Sequence, residues 1–284
     1  MDAEIPWRSD SGAPRPPLPG GLQRMFRGGR TLKRWRYVGV FGPELMLCAG
    51  QVRVGPGRQS FWAVWDGAAL RERTRVWGGH RHVEMSPGEL RIEEADFAAL
   101  VRWEEDEGVE TISRHGARGG GGSGGGNGGG VIWTRKQAGA PARGKVRLGS
   151  RQLSFSAQVV VDDSAGYHAR ETAWLWCAGV GHSTAGARLG WNIASGLHDA
   201  PQGSERTLWL DGVPQELGPE DFAADLSQVG ELRFERQATR YRRERLGPLL
   251  QSEYEQPFGR FSGSIGGVLL QEGFGVTERH RAHW

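Results

Sequence analysis

The segment Val161-Asp162-Asp163-Ser164-Ala165-Gly166-Tyr167-His168-Ala169-Arg170-Glu171-Thr172-Ala173-Trp174-Leu175-Trp176 brings acids, a tyrosine, a histidine, an arginine and two tryptophans into one short run. Carboxylates and imidazoles are the groups that move protons near neutral pH, and indole rings form the apolar walls that shift their proton affinity. The theme returns after an apolar strand in Glu278-Arg279-His280-Arg281-Ala282-His283-Trp284. Asp163 with His168, and Glu278 with His280, are therefore the candidate catalytic pairs. Tyr167, Arg170, Trp174, Trp176, Trp191 and Asn192 are the candidate ligand contacts, the tryptophans as an apolar wall. A plainer reading treats the first segment as a charged turn at a strand end, with Asp162 and Asp163 capping it and Trp174 and Trp176 facing the core.

Other chemistries fit less well. His168, His198, His280 and His283 with Asp163 and Glu278 offer metal-ligand types, but no cysteine pair accompanies them. His280 and His283, three apart, would face opposite sides of a strand. No metal and no cofactor is expected. No Gly-x-Ser-x-Gly sits in a strand-to-helix elbow, and Cys177 behind Trp174-Leu175-Trp176 reads as a buried, inert thiol.

The elements that must position these residues read as strands. Runs such as Tyr37 to Phe41, Glu44 to Val54, Ser60 to Trp65, Leu153 to Val161, Thr172 to Cys177 and Val268 to Thr277 are short and bounded by turn residues. Trp65-Asp66-Gly67 and Leu210-Asp211-Gly212 are hairpin signals. The best helix candidates, Pro87 to Leu100 and Pro219 to Leu226, sustain no long period. The expected fold is mainly β: two related antiparallel β units, lipocalin-like barrels or sandwiches, with little helix. The units are expected at 30–160 and 161–284, behind a disordered arm over 1–29. The glycine run Gly119 to Gly130 reads as a disordered surface insertion in the first unit.

An internal repeat supports two units. Leu47-Cys48-Ala49-Gly50 is echoed by Trp176-Cys177-Ala178-Gly179. Likewise Gln137, Pro141 and Gly144 precede the first acid-histidine segment as Gln256, Pro257 and Gly259 precede the second.

Composition bounds the rest. The 284 residues are 37% hydrophobic and 24% charged, with twelve Trp and ten Phe, which is globular core material. Two cysteines exclude a disulfide framework, and no apolar stretch reaches signal-peptide or membrane-span length, so a cytoplasmic protein without an integral membrane segment is expected. Net charge is +3, and Glu235, Glu244 and Glu253 interleave with the Arg236 to Arg245 stretch, so nucleic acid is not an expected partner.

Lys33-Arg34-Trp35-Arg36-Tyr37-Val38-Gly39-Val40, Trp133-Thr134-Arg135-Lys136-Gln137, Asp162 to Trp176, Gly190-Trp191-Asn192, Glu205, Trp209-Leu210-Asp211-Gly212, Gln256 to Gly263 and Glu278 to Trp284 resemble a bacterial family known as domain of unknown function 2804. The glycine run departs from that pattern, and the family brings no activity. More remotely, a β repeat with an acid-histidine junction resembles the two-barrel, lipocalin-related carotenoid hydratases and cyclases. That resemblance implies an apolar cavity and acid catalysis without a redox cofactor. The functional expectation is a soluble β protein that binds a lipophilic small molecule, with acid/base chemistry of hydratase, isomerase or cyclase type. The alternative is a non-catalytic ligand-binding or structural protein.

Overall fold

In the computed structural model, residues 5–18, 22–76, 81–115, 130–246 and 250–283 are described. The glycine run 119–129 lies outside them, and Gly130 opens a strand. Among the described residues the chain is mainly antiparallel strand, with a 3-10 turn at Ser9–Ser11 and no α-helix. Both helix candidates give way: Pro87 to Leu100 is taken up by the strands Glu89–Glu93 and Phe97–Trp103, and Pro219 to Leu226 is irregular chain and turn with a single bridge at Phe222. Leu90, Ile92, Phe97, Ala99 and Val101 alternate into one core, the period-2 pattern that strand packing selects.

Two sheets carry the fold. In the first, the order is Leu70–Val76, Gly57–Trp65, Met46–Val54, Lys33–Phe41, Arg151–Gly166, Gly130–Leu148, Phe97–Trp103, Glu89–Glu93 and Val83–Ser86. In the second it is Val213–Glu216, Thr207–Leu210, Arg188–Ser195, Glu171–Ser183, Val268–His283, Leu250–Ile265, Leu232–Leu246 and Gln228–Val229. In each sheet a central early strand, Lys33–Phe41 or Glu171–Ser183, pairs with the last one. The Asp66-Gly67 and Asp211-Gly212 turns close hairpins as read, Gly67 and Gly212 both with positive φ.

Each sheet curls around a core of its own. Val38, Leu47, Trp62, Val101 and Val159 fill the first, and Cys177, Leu189, Trp191, Leu232 and Phe261 fill the second. The opposite faces meet: Tyr37, Cys48, Ala63, Ala138 and Val160 pack against Trp176, Ala178, Ala194, Phe258, Phe274 and Val276. The approach is closest where Gly139, at φ +87 in a β-bulge, lies against Gly190; a Cβ on Gly190 would run into the Ala138 and Gly139 backbone. Two sheets can touch main chain to main chain only where side chains are missing.

The last strand of the first sheet continues past 160 to Gly166, because Asp162 and Asp163 lie directly opposite Lys136 and Arg135, and these opposite-charge cross-strand pairs keep the acidic stretch in the ladder. Within the arm expected over 1–29, Trp7–Arg8 pairs with Val109–His115, and Phe26–Arg27 forms a local hairpin with Arg30–Thr31. Arg8 is 2% exposed, donating to the Ser204 carbonyl (2.7 Å) and to Thr207 Oγ1 (3.0 Å).

Candidate functional site

Where the two sheets part at one end of their interface they leave a cavity of about 140 Å³. Its walls are aromatic: Trp35, Tyr37 and Phe61 from the first sheet, Trp174, Trp176 and Tyr254 from the second. The floor is buried, and Trp35, Trp174, Leu197 and His280 are half-buried. Such a volume is close to the ~150 Å³ apolar cavity that holds a benzene ring.

Polar groups reach the cavity from two sides. On the first sheet Lys136 Nζ sits 2.6 Å from Asp162 Oδ1 and 3.5 Å from Glu205 Oε2, Glu205 being contributed by the second sheet's 196–206 loop. All three are buried. Burial, countered by Lys136 and reinforced by the Glu205 charge, lifts the Asp162 carboxyl to about 6. Lys136 is held above its ordinary value despite burial because both carboxylates favour its charged form. His198, in the same loop, has φ 55, the left-handed region that few residues other than glycine adopt, and its Nδ1 lies 3.0 Å from Ser113 Oγ.

On the second sheet Glu278 accepts hydrogen bonds from Trp174 Nε1 and Gln256 Nε2, both at 3.0 Å. His280 Nδ1 is 3.8 Å from Glu278, its Nε2 is 2.8 Å from Ser252 Oγ, and its ring lies 4.1 Å from that of Trp174. Behind Phe61 and Tyr254 lies Arg240, paired with Glu72 at 2.8 Å and stacked 4.4 Å from the Phe61 ring centre. Burial raises the Tyr37 and Tyr254 phenols well above their ordinary value, so both remain protonated donors.

Of the residues read from the sequence, Glu278, His280, Trp174 and Trp176 line this cavity. Asp163 does not. It points to the opposite face of its strand, into a quartet with Arg36 (2.8 Å), Arg135 (2.6 Å) and Glu105, and its neighbour Asp162 takes the cavity position. His168 is buried behind the wall, 5.1 Å from the Trp35 ring and 6.4 Å from that of His198, which does line the cavity. Tyr167 belongs to a separate cluster with Leu22, Leu32 and Ala165, its hydroxyl donating to the Arg24 carbonyl at 2.7 Å. Arg170 is exposed and contacts His283 at 3.2 Å. Trp191 faces the second sheet's own core against Phe261. Asn192 supports the wall from behind, accepting from Trp176 Nε1 (2.7 Å) and donating to the Glu205 carbonyl (2.9 Å).

Tyr254 was not singled out by sequence; Lys136, Glu205 and Tyr37 entered only through the stretches that resemble the family, and His198 only as a metal-ligand type. One signal was available for Lys136: Lys and Arg total 36, yet the lysines are only Lys33, Lys136 and Lys145, so a lysine in this chain marks a place where a guanidinium does not serve.

Residues 129–284, more than half the chain, match the model of the Domain of unknown function (DUF2804) family. The chain belongs to that family. No curated protein matches it. Among solved structures, a DUF2804 chain of this fold resembles one assigned as AttH from Nitrosomonas europaea, at 13% identity over 94% of this chain and 97% of that one, with a TM-score of 0.47. It resembles kievitone hydratase from Nectria haematococca at 10% identity, 92% of each chain and a TM-score of 0.49. CghA with Sch210972 matches at 8% identity, 89% of this chain, 88% of that one and a TM-score of 0.40.

Proposed function

We propose that this DUF2804 protein binds a lipophilic, ring-bearing small molecule between its two sheets and transfers a proton to it, chemistry of the hydratase, isomerase or cyclase type. The observation that carries this reading is an aromatic cavity with buried carboxyl groups on opposite walls, one of them, Asp162, with a proton affinity near neutrality. Asp162 gives its proton to an unsaturated carbon or an oxygen of the bound molecule. Glu278, with His280 beside it, takes a proton from an adjacent carbon or from a water that adds, so the sum is isomerisation or hydration and no electron changes hands.

The test is a melting-shift screen of ring-bearing lipophiles followed by turnover of those that bind. Asp162→Asn should retain binding and lose at least about a hundredfold in turnover, the range for a removed general acid. Undiminished turnover would show that Asp162 is not the acid.

A second reading has its own support. Lys136, Asp162 and Glu205 form an ion triad that ties the two sheets together, which a purely binding or scaffolding protein would also need. On that reading Asp162→Asn alters stability and leaves no chemistry to lose. The shared strand order of the sheets supports the duplication inferred from sequence, with Asp162 and Glu278 both on the closing strand of their unit.

A further inference from the structure

Tyr37 is 6% exposed, lines the cavity, and carries a hydroxyl for which the described residues supply no hydrogen bond beyond a weak contact with the Cys48 thiol behind it. The ring is fixed edge-on to Trp176, with centroids 5.3 Å apart. A buried phenol left without an oxygen or nitrogen partner costs stability, so its retention at a ligand-sized space points to a partner that arrives with the ligand.

The charges around it narrow that partner. Asp162, Glu205 and Glu278 face the cavity, against Lys136 and Arg36 in the lining and Arg240 behind it; Arg36 is itself held by Glu105 and Asp163, and Arg240 by Glu72. An anionic oxygen would meet this acidic surround, whereas a neutral oxygen acceptor would not. The phenol stays protonated because burial raises its proton affinity, so it serves as a donor.

We propose that the ligand carries a neutral carbonyl conjugated to or adjoining its ring, and that Tyr37 Oη donates a hydrogen bond to that carbonyl oxygen. This rests on the cavity being the binding site. A carbonyl so polarised places positive character on the carbons next to it, where the carboxyl groups of the opposite walls exchange protons. Tyr37 thus selects the ligand and holds its reacting carbons in register.

Four probes of one shape separate the possibilities: ethylbenzene, acetophenone, 1-phenylethanol and benzoate, each titrated by ligand-observed nuclear magnetic resonance against wild type and Tyr37→Phe. Wild type should bind acetophenone about tenfold more tightly than ethylbenzene, the value of one hydrogen bond in a dry site, and benzoate most weakly. In Tyr37→Phe the acetophenone preference should vanish while ethylbenzene affinity is unchanged and the melting temperature is equal or higher, since only the weak contact with the Cys48 thiol is lost and a buried hydroxyl is removed with it. A preference that survives in Tyr37→Phe, one for benzoate or 1-phenylethanol over acetophenone, or a lowered melting temperature would overturn the assignment. Failure of all four to bind wild type would overturn the cavity reading itself, and this inference with it.

Discussion

Asp162 and Asp163 are neighbours with opposite fates, and the reason explains what could not be read in advance. A strand with one wet face alternates, and its parity announces which residues point inward. Here Val159-Val160-Val161 precede the pair, because Val159 and Val161 fill the first sheet's core while Val160 fills the interface between sheets. With both faces buried the pattern carries no parity. Glu278, His280, Trp174 and Trp176 were named from the sequence and lie at the cavity, whereas Trp191, Asp163 and His168 do not line it; the choice of Asp162 over Asp163, and the long-range arrival of Glu205, were not legible. Two outcomes follow at this scale. If the Asp162 carboxyl is the proton donor, turnover should be full below pH 6 and fall about tenfold per unit above it, a limb absent from Asp162→Asn. Lys136→Met should destabilise the fold by about 3–5 kcal/mol at pH 7, since two buried carboxylates lose their cation. A carboxyl whose folded proton affinity is raised above its unfolded value contributes stability below the unfolded value, near 3.8 for Asp162, and loses it as pH rises through the folded one. Without Lys136 the folded value rises further, so the deficit of Lys136→Met should shrink between pH 7 and pH 5 in urea titrations. A deficit that grows on acidification would show that the carboxylates are not strained in the fold.

The strands themselves were the most readable part of the chain, through Asp-Gly turns and short apolar runs. The docking of the N-terminal segment was not, since Trp7 and Arg8 carry no strand signal among the prolines around them. Arg8 acts across elements: its guanidinium holds the 204–207 main chain, and the loop that ends there brings Leu197, His198 and Glu205 to the cavity. Arg8→Ala should weaken ligand binding by about tenfold or more by loosening that loop, and increased amide exchange over residues 197–206 should accompany it. Protection equal to wild type would remove Arg8 from the account. The sheet-to-sheet contact is equally specific. Gly190→Ala should cost about 2–3 kcal/mol by forcing the Gly139 bulge away, whereas Gly218→Ala, with nothing within 4 Å of the added carbon, should lie within about 0.5 kcal/mol of wild type. Equal costs in chemical denaturation would mean that the sheets are not in main-chain contact.

At the scale of the whole molecule, two curled sheets with separate cores press their remaining faces together, and at one end that interface opens instead of packing. A cavity there exists only because both sheets are present, with Tyr37 and Lys136 supplied by one and Trp174, Trp176 and Glu278 by the other. The most direct test of this claim is diffraction from crystals soaked in bromobenzene, whose bromine is located by its anomalous signal. The account predicts a bromine site in the space between Trp35, Trp174 and Trp176, and its loss in Ala194→Trp, which fills the cavity from the second sheet. A bromine bound only elsewhere, or a cavity that stays empty while its walls remain as described, would contradict it.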